Sequence, residues 1–180
     1  GHGTGTASVL CSPEAGQIAG AAPLAKVAPI RCIHDVKVFD TSPVAAAISH
    51  AVSARCDVIS MSLGGIPGRA MHAAVRAAVE SDLIVVAAAG NCVRTVVWPA
   101  RYDEVIAVAG SNFNDRPWKG SCRGSAVDIT APAELVWRAE RNAQNDPTSV
   151  VGGGQGTSFA AALVAGIAAL WLGRHGKPAV

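Results

Sequence analysis

Short apolar runs alternate along this chain with longer segments that are rich in alanine. The apolar runs predict strands at Val27–Ile33, Val58–Ser62, Leu83–Ala88 and Val105–Ala109. The longer segments predict helices from Ser42 to about Ala54, from about Gly68 to Ser81, and from Ser158 to about Trp171. Nearly continuous apolar strands are expected where both faces of a sheet are covered. The pattern therefore predicts an α/β fold with a doubly wound, mostly parallel sheet and helices on both faces.

Local signals refine two of these helices. Ser42 followed by Pro43 is typical of a helix start, with a capping serine and proline at the first helical position. In the next helix Met71, Val75 and Val79 recur at helical spacing and are expected to face the core. The polar segment from Asn142 to Thr148 predicts a surface loop.

Composition narrows the functional classes. The chain has 180 residues, of which 50% are hydrophobic and only 4% aromatic, so its core must consist mainly of small aliphatic side chains. The net charge of +2 and the scattered basic residues do not indicate a nucleic-acid or anionic-membrane partner. The longest apolar run, from Phe159 to Leu172, is too short for a membrane span and predicts a buried helix. No signal peptide is visible.

The five cysteines leave two interpretations open. They have no C-x-x-C pair and no zinc spacing, and their odd number leaves at least one thiol unpaired within the chain. They are either small buried hydrophobes in a reducing compartment, slightly favoured, or partners in one or two disulfides of a secreted protein. They are Cys11, Cys32, Cys56, Cys92 and Cys122.

Two glycine-rich helix starts carry a candidate nucleophile and a candidate base. Ser158 follows Gly156-Thr157, and His2 lies within Gly1-His2-Gly3-Thr4. A serine hydroxyl needs a nearby base, and an imidazole titrates close to neutral pH. Taken alone, Ser158 is more simply a helix cap and His2 a surface histidine. The other four histidines, in less distinctive settings, are expected to be surface or structural residues.

Glycines and polar residues collect where predicted strands end. Gly64-Gly65, Gly90-Asn91 and the glycines before Ser158 all fall at carboxyl ends, where parallel sheets bind ligands. If the edge at Ser62-Leu63-Gly64 is open, an extended peptide can pair with it as an added strand. Ala88-Ala89-Gly90 offers a second edge with small side chains and leaves a slot between the two. The Gly152–Gly156 run lacks the lysine of a phosphate-binding loop.

Five segments in order resemble the subtilisin-like serine proteases (subtilases) and extend to about Leu172. The histidine motif of that family resembles residues 1–7, its substrate-binding strand residues 57–65, and its oxyanion-hole segment residues 87–91. Its pocket wall resembles residues 98–108, and its serine motif residues 156–166. The resemblance implies that Ser158 is the nucleophile and His2 the general base, and it favours a cis Trp98–Pro99 bond. Asn91 and the Ser158 backbone N–H would then bind the oxyanion.

The departures from the family pattern are as informative as the matches. The aspartate of the family lies on a strand upstream of the histidine, whereas this chain begins one residue before His2. Asp40, Asp57 and Asp128 do not fit that position. We therefore interpret residues 1–180 as a partial protease domain, incomplete at the N-terminus. The missing strand would be central, so we expect the isolated chain to be nearly inactive and to self-associate, leave elements disordered, or aggregate.

The sequence thus predicts a serine endopeptidase that acts on protein or peptide substrates without a cofactor. The pocket contains no carboxylate, so an apolar or uncharged residue is expected before the scissile bond. Calcium is common in the resembling family, but no carboxylate-rich loop is visible. A secreted or periplasmic location is favoured by the resemblance only. The alternatives are a non-catalytic pseudoprotease, or an inactive fragment that retains a peptide-binding groove. A nucleotide-binding Rossmann domain lacks its glycine fingerprint here.

Overall fold

A parallel sheet with helices on both faces forms the centre of the molecule. The computed structural model describes residues 1–13, 17–140 and 149–177. The helices are α1 (His2–Cys11), α2 (Ser42–Ser53), α3 (Arg69–Glu80) and α4 (Thr157–His175). The strands are β1 (Lys37–Val38), β2 (Val58–Met61), β3 (Gly64–Gly65), β4 (Ile84–Ala88), β5 (Ile106–Ser111), β6 (Ile129–Pro132), β7 (Val136–Glu140) and β8 (Ser149–Gly154).

The main sheet has four strands in the order β2-β4-β5-β6, and every pairing in it is parallel. Two smaller units accompany it: β1 pairs with β3 in parallel, and β7 with β8 as an antiparallel hairpin. Because β2 and β4 are parallel neighbours, their carboxyl ends lie side by side at the same edge of the sheet. The doubly wound architecture is the one that the sequence pattern predicts.

Alternating side chains on β4 divide the core in two. Val85 and Ala87 pack in a cluster with the buried faces of α2 and α3. Val86 and Ala88 point to the other face and pack in a cluster with α4. Because both faces of β4 are covered, the strand is apolar throughout, as the sequence suggests.

Helix α4 crosses all four strands of the main sheet. Its N-terminal half, Thr157–Gly166, is almost entirely buried and consists mainly of small residues, which allows close approach to the sheet. Ile167, Leu170 and Trp171 in the C-terminal half are about half exposed. By length and hydropathy α4 meets the criteria for a membrane-spanning helix, but a buried core helix meets the same criteria.

One predicted strand is wrong. Residues 27–33 form no strand, and Val27 and Ile30 are 43% and 42% exposed. Ile30 and Cys32 of this segment line an apolar groove together with Ile59 of β2. A strand needs a partner within hydrogen-bonding distance. Within the described part of the chain, β2 pairs only with β4, and no ladder reaches residues 27–33.

The three predicted helices form with ends within a few residues of those expected, but two details differ. Thr41 rather than Ser42 is the N-cap residue of α2, and it makes no side-chain capping hydrogen bond. In α3 Met71, Ala74, Val75 and Ala78 form the buried face, while Val79 is 37% exposed. The buried face of α3 therefore contains two alanines beside Met71 and Val75, in addition to the larger residues from which the sequence predicts it. The loop predicted from Asn142 to Thr148 lies outside the described residues.

A buried serine attaches α1 to the β7–β8 hairpin. The Ser8 hydroxyl donates to the Gly5 carbonyl at 2.8 Å and accepts a hydrogen bond from the Ala139 N–H at 2.8 Å. Ser8 is 7% exposed, so water cannot readily replace either bond. Because α1 begins at His2, this contact helps to fix the position of that histidine.

We expect Ser8→Ala to lower the free energy of unfolding by about 1–3 kcal/mol, because it leaves the buried Ala139 N–H without an acceptor. Urea denaturation measures the change. Ser53→Ala is the control, since the exposed Ser53 hydroxyl bonds only to the Ser49 carbonyl of its own helix. An effect of Ser8→Ala no larger than that of the control would contradict this account of how α1 is held.

Candidate active site

The side chain of Asn91 joins the end of β4 to the start of α4. Its Oδ1 accepts hydrogen bonds from the backbone N–H and the hydroxyl of Thr157, both at 2.9 Å. The Thr157 hydroxyl also accepts from the Gly90 N–H at 3.2 Å. A backbone N–H can only donate, so the Asn91 oxygen must face Thr157. The amide Nδ2 therefore lies on the side away from Thr157, and it makes no hydrogen bond within the described residues.

Ser158 lies in the first turn of α4 and is 8% exposed. Gly156 before the helix has φ 146°, a backbone conformation that L-residues rarely adopt. A Cβ added to Gly156 would lie 3.4 Å from Asn91 Nδ2, so the free amide faces the turn that leads into Ser158. The Ser62 hydroxyl donates to the Ser158 carbonyl at 2.9 Å, which ties the end of β2 to the same turn.

His2 starts α1, and α1 packs against α4. The imidazole lies beside the ring of Phe159, which directly follows Ser158, with 6.4 Å between the ring centroids. Phe159 is also stacked against Arg138, whose guanidinium carbon is 5.4 Å from the ring centroid. The structure thus brings His2 near the serine turn. No hydrogen bond joins the imidazole to Ser158 in the regions that are described.

Positive charges and desolvation act together on His2. Partial burial, the N-terminal ammonium and the Arg138 guanidinium, in decreasing order, lower the pKa of His2 from 6.5. All three disfavour the imidazolium form, so His2 is neutral at neutral pH. A neutral imidazole can accept a proton, but the charged form that results has no carboxylate partner within the described residues.

The aspartates that the sequence excludes as triad members are engaged elsewhere. Asp40 accepts from the Ser42 N–H at 2.9 Å, and Asp128 from the Ala107 N–H at 2.7 Å. Asp57 pairs with Lys177 at 3.3 Å. His72 is a structural residue, stacked on Tyr102 and paired with Glu104 at 3.1 Å.

The two strand ends that were expected to border a slot face each other across the Val97 side chain, and their surroundings differ from the expectation. The Ala88 and Ala89 side chains are buried in the cores on opposite faces of the sheet, so they contribute backbone rather than side chain. The edge at Gly64 is not open, because its N–H donates to the Val36 carbonyl at 2.9 Å next to β1. Leu63 packs against the core. The Trp98–Pro99 bond beside the slot is cis, as the resemblance favours.

The cysteines are all free thiols in the structure. Cys122 is buried, whereas Cys92, next to Asn91, is exposed rather than packed as expected. Among residues 1–13, 17–140 and 149–177, no group of three or more His, Cys, Asp or Glu side chains is arranged to hold a metal ion.

Sequence reasoning missed the contribution of three residues. Thr157 was part of a recognised motif but carried no predicted role, although its two polar groups orient Asn91. Val97 directly precedes the predicted pocket wall and lies between the two edges of the slot. Arg138 is far from both motifs in the chain, and nothing local in the sequence places it beside His2.

Comparison with known proteins assigns the chain to a family. The profile of the subtilase family (peptidase S8) matches residues 1–177. The chain belongs to the subtilase family. This assignment confirms the resemblance that the five motifs suggest.

Curated relatives include thermitase of Thermoactinomyces vulgaris, which is 37% identical over 99% of this chain and 63% of its own length. Subtilisin E of Bacillus subtilis is 37% identical over 83% of this chain and 41% of its own length. The chain therefore spans slightly under two thirds of thermitase and less than half of subtilisin E. Among solved structures, the prenylagaramide maturation protease PagA superposes with a TM-score of 0.85 at 26% identity, covering 98% of this chain and 67% of PagA. This similarity confirms the subtilisin-like α/β fold.

We expect the pKa of His2 to lie below 6.5 and to rise in Arg138→Gln, because the variant removes a nearby cation. The imidazole signals in NMR spectra recorded against pH measure both values. Arg138→Lys keeps the charge and should keep the pKa low. The folded state favours neutral His2, so this group contributes stability above pH 6.5 that is lost as the pH falls through its lower folded-state pKa. An unchanged or lower pKa in Arg138→Gln would show that the guanidinium does not act on His2.

Proposed function

We propose that this chain is part of a serine endopeptidase in which Ser158 is the nucleophile, His2 the general base and Asn91 an oxyanion donor. The observation that carries the proposal is the orientation of Asn91. Its oxygen is held by Thr157, so its NH₂ group remains available beside the turn that carries Ser158. Membership of the subtilase family, whose characterised members are serine peptidases, supports the same chemistry.

The proposed reaction proceeds by acyl transfer. His2 takes the proton from the Ser158 hydroxyl as the oxygen attacks the substrate carbonyl. The negative charge that develops on the carbonyl oxygen is stabilised by Asn91 Nδ2 and by the Ser158 backbone N–H at the start of α4. The imidazolium then gives the Ser158 proton to the leaving amine as the peptide C–N bond breaks, which leaves the acyl-enzyme. Water attacks the ester carbonyl while His2 accepts a proton from it, and His2 returns that proton to the Ser158 oxygen as the acid product leaves. The attack of water also needs a neutral His2, and the low pKa of this residue supports that requirement.

Substrate binding along Ser62, Leu63 and Gly64 requires a local rearrangement. Since the Gly64 N–H already donates to Val36, a peptide added at this point must replace the short β1 segment. Val36, which accepts that hydrogen bond, is 42% exposed and can be displaced at little cost, whereas Val38 of β1 is 2% exposed and packs in the core, so it opposes displacement of the whole segment. The opposite side of the peptide would face the backbone of Ala88, Ala89 and Gly90.

One observation favours the second candidate, a peptide-binding chain without turnover. Partial burial and the Arg138 guanidinium both disfavour the charged form of His2, and no carboxylate contacts the imidazole within the described residues, so the imidazolium of the transition state is disfavoured. Triad enzymes lose about four orders of magnitude in kcat when the aspartate cannot orient the histidine. We therefore keep the prediction that the 180-residue chain alone reacts slowly. Self-association also stays a prediction, for which the edge of β2 is the candidate surface.

We expect an active-site fluorophosphonate to label the chain slowly at Ser158, because the neutral His2 can still activate the hydroxyl. Mass spectrometry of the digested protein identifies the labelled residue. Ser158→Ala should abolish labelling, whereas Ser53→Ala removes an exposed hydroxyl on α2, outside the site, and should preserve it. Labelling that persists in Ser158→Ala, or no labelling at any incubation time, would contradict the assignment of the nucleophile.

We expect Asn91→Asp to slow the acylation of Ser158 by about 10²–10³-fold, the loss measured for an equivalent donor in a subtilisin. The aspartate keeps an oxygen for Thr157 but replaces the NH₂ group with a second oxygen, which repels the oxyanion. The labelling rate measures the effect, and thermal unfolding checks that the contact with Thr157 survives. If a well-folded Asn91→Asp variant is labelled at the original rate, Asn91 is not an oxyanion donor.

A further inference from the structure

The branched side chain of Val97 lies between Gly64 and Gly90, and the Cys122 sulfur borders the same space on the Gly90 side. A Cβ added to Gly64 would overlap Val97 Cγ2, and a Cβ added to Gly90 would lie 2.9 Å from the same methyl carbon and 3.2 Å from Cγ1. Real Cβ atoms do not approach another heavy atom so closely. The isopropyl group of Val97 thus fills the space between the two glycines, which are the only residues without side chains on the facing edges.

Val97 is fixed in this position by its backbone. Its N–H donates to the Ala89 carbonyl at 3.0 Å, and its carbonyl accepts from the Arg101 N–H at 3.0 Å. The next residue, Trp98, exchanges two backbone hydrogen bonds with Gly65, at 2.9 and 3.3 Å. The segment is therefore anchored to both edges of the slot at once. A β-branched side chain also has few rotamers, so Val97 cannot simply swing aside.

The slot ends beside the proposed catalytic groups. Gly90 precedes Asn91, and its N–H donates to Thr157. Ser62, two residues before Gly64, donates to the Ser158 carbonyl. A bound peptide presents the carbonyl of its scissile bond to Ser158. The side chain of the residue that carries this carbonyl would therefore point between Gly64 and Gly90, toward Val97.

We infer that Val97 is a specificity-determining residue that restricts the position before the scissile bond to small side chains such as glycine, alanine or serine. A larger side chain would need the volume that the two methyl groups of Val97 occupy, in a segment that cannot retreat. This inference rests on the proposed function. It is narrower than the prediction from the sequence, which allows any apolar or uncharged residue before the scissile bond. Bulky apolar residues such as phenylalanine and leucine are excluded along with charged ones.

The test measures peptide binding, so it does not depend on turnover. Acetylated, amidated alanine tetrapeptides that end in Ala or Phe are titrated into the ¹⁵N-labelled chain carrying Ser158→Ala. The amide shifts of Gly64 and Gly90 report the dissociation constants at the slot itself. We expect the Ala peptide to bind at least about tenfold more tightly than the Phe peptide, the scale on which pockets discriminate by a few carbon atoms.

Val97→Gly should remove the preference for the Ala peptide or reverse it. Val97→Ala should give a ratio of the two dissociation constants between those of the original chain and Val97→Gly, and it replaces the glycine variant in the test if that variant folds poorly. Val97→Thr keeps the branched shape and should keep the preference for Ala. Val96→Ala deletes the same atoms from the neighbouring core residue and should leave the ratio unchanged.

Equal or tighter binding of the Phe peptide, an unchanged ratio in Val97→Gly, or no shift of Gly64 and Gly90 with either peptide would overturn the inference. Failure of the proposed function is seen separately, as an absence of Ser158 labelling in a chain that still binds the Ala peptide selectively.

Discussion

The contact between Asn91 and Thr157 holds the candidate site together. Helix α4 begins at Thr157, and its preceding residue, Gly156, has no side chain with which to cap the first turn. Asn91 supplies that cap from the end of β4, by accepting from the Thr157 N–H. One side chain thereby satisfies a helix terminus, fixes the distance between sheet and helix, and orients its own NH₂ group. Stability and the proposed chemistry depend on the same hydrogen bonds.

The small residues of α4 make this contact geometrically feasible. Ala160, Ala161 and Ala165 are almost completely buried against β4 and β5, so the helix axis lies close to the sheet. A larger residue at these positions would lift the start of α4 away from Asn91. The packing of these alanines therefore determines whether the turn that carries Ser158 lies within hydrogen-bonding distance of Asn91. In this way the high alanine content of the chain contributes to the geometry of the site.

The predictable parts of the structure are those that depend on local periodicity. Apolar spacing predicts the helices α2 and α3 and the strands β2, β4 and β5. The motifs place Asn91 and the serine helix in one proposed site, and in the structure Asn91 accepts a hydrogen bond from Thr157 at the start of that helix. The strand predicted at residues 27–33 failed because an apolar run does not ensure a partner strand. Arg138 beside His2 could not be foreseen, since the hairpin that carries it reaches α1 only through tertiary packing. The covered edge at Gly64 likewise depends on the non-local β1–β3 pairing.

His2 and Asn91 differ in how fully the described residues orient each side chain for its proposed role. The Asn91 amide is oriented before any substrate arrives, which is the property that makes an oxyanion donor effective, because no reorganisation is needed during the reaction. His2 is placed beside Phe159, but within the described residues it has no orienting acceptor, and the Arg138 guanidinium beside it is a cation. A carboxylate brought next to His2 would oppose the charge of Arg138 and would also fix the tautomer of the imidazole. The electrostatics around His2 therefore leave a role for an anion, whereas Asn91 needs no further partner than Thr157.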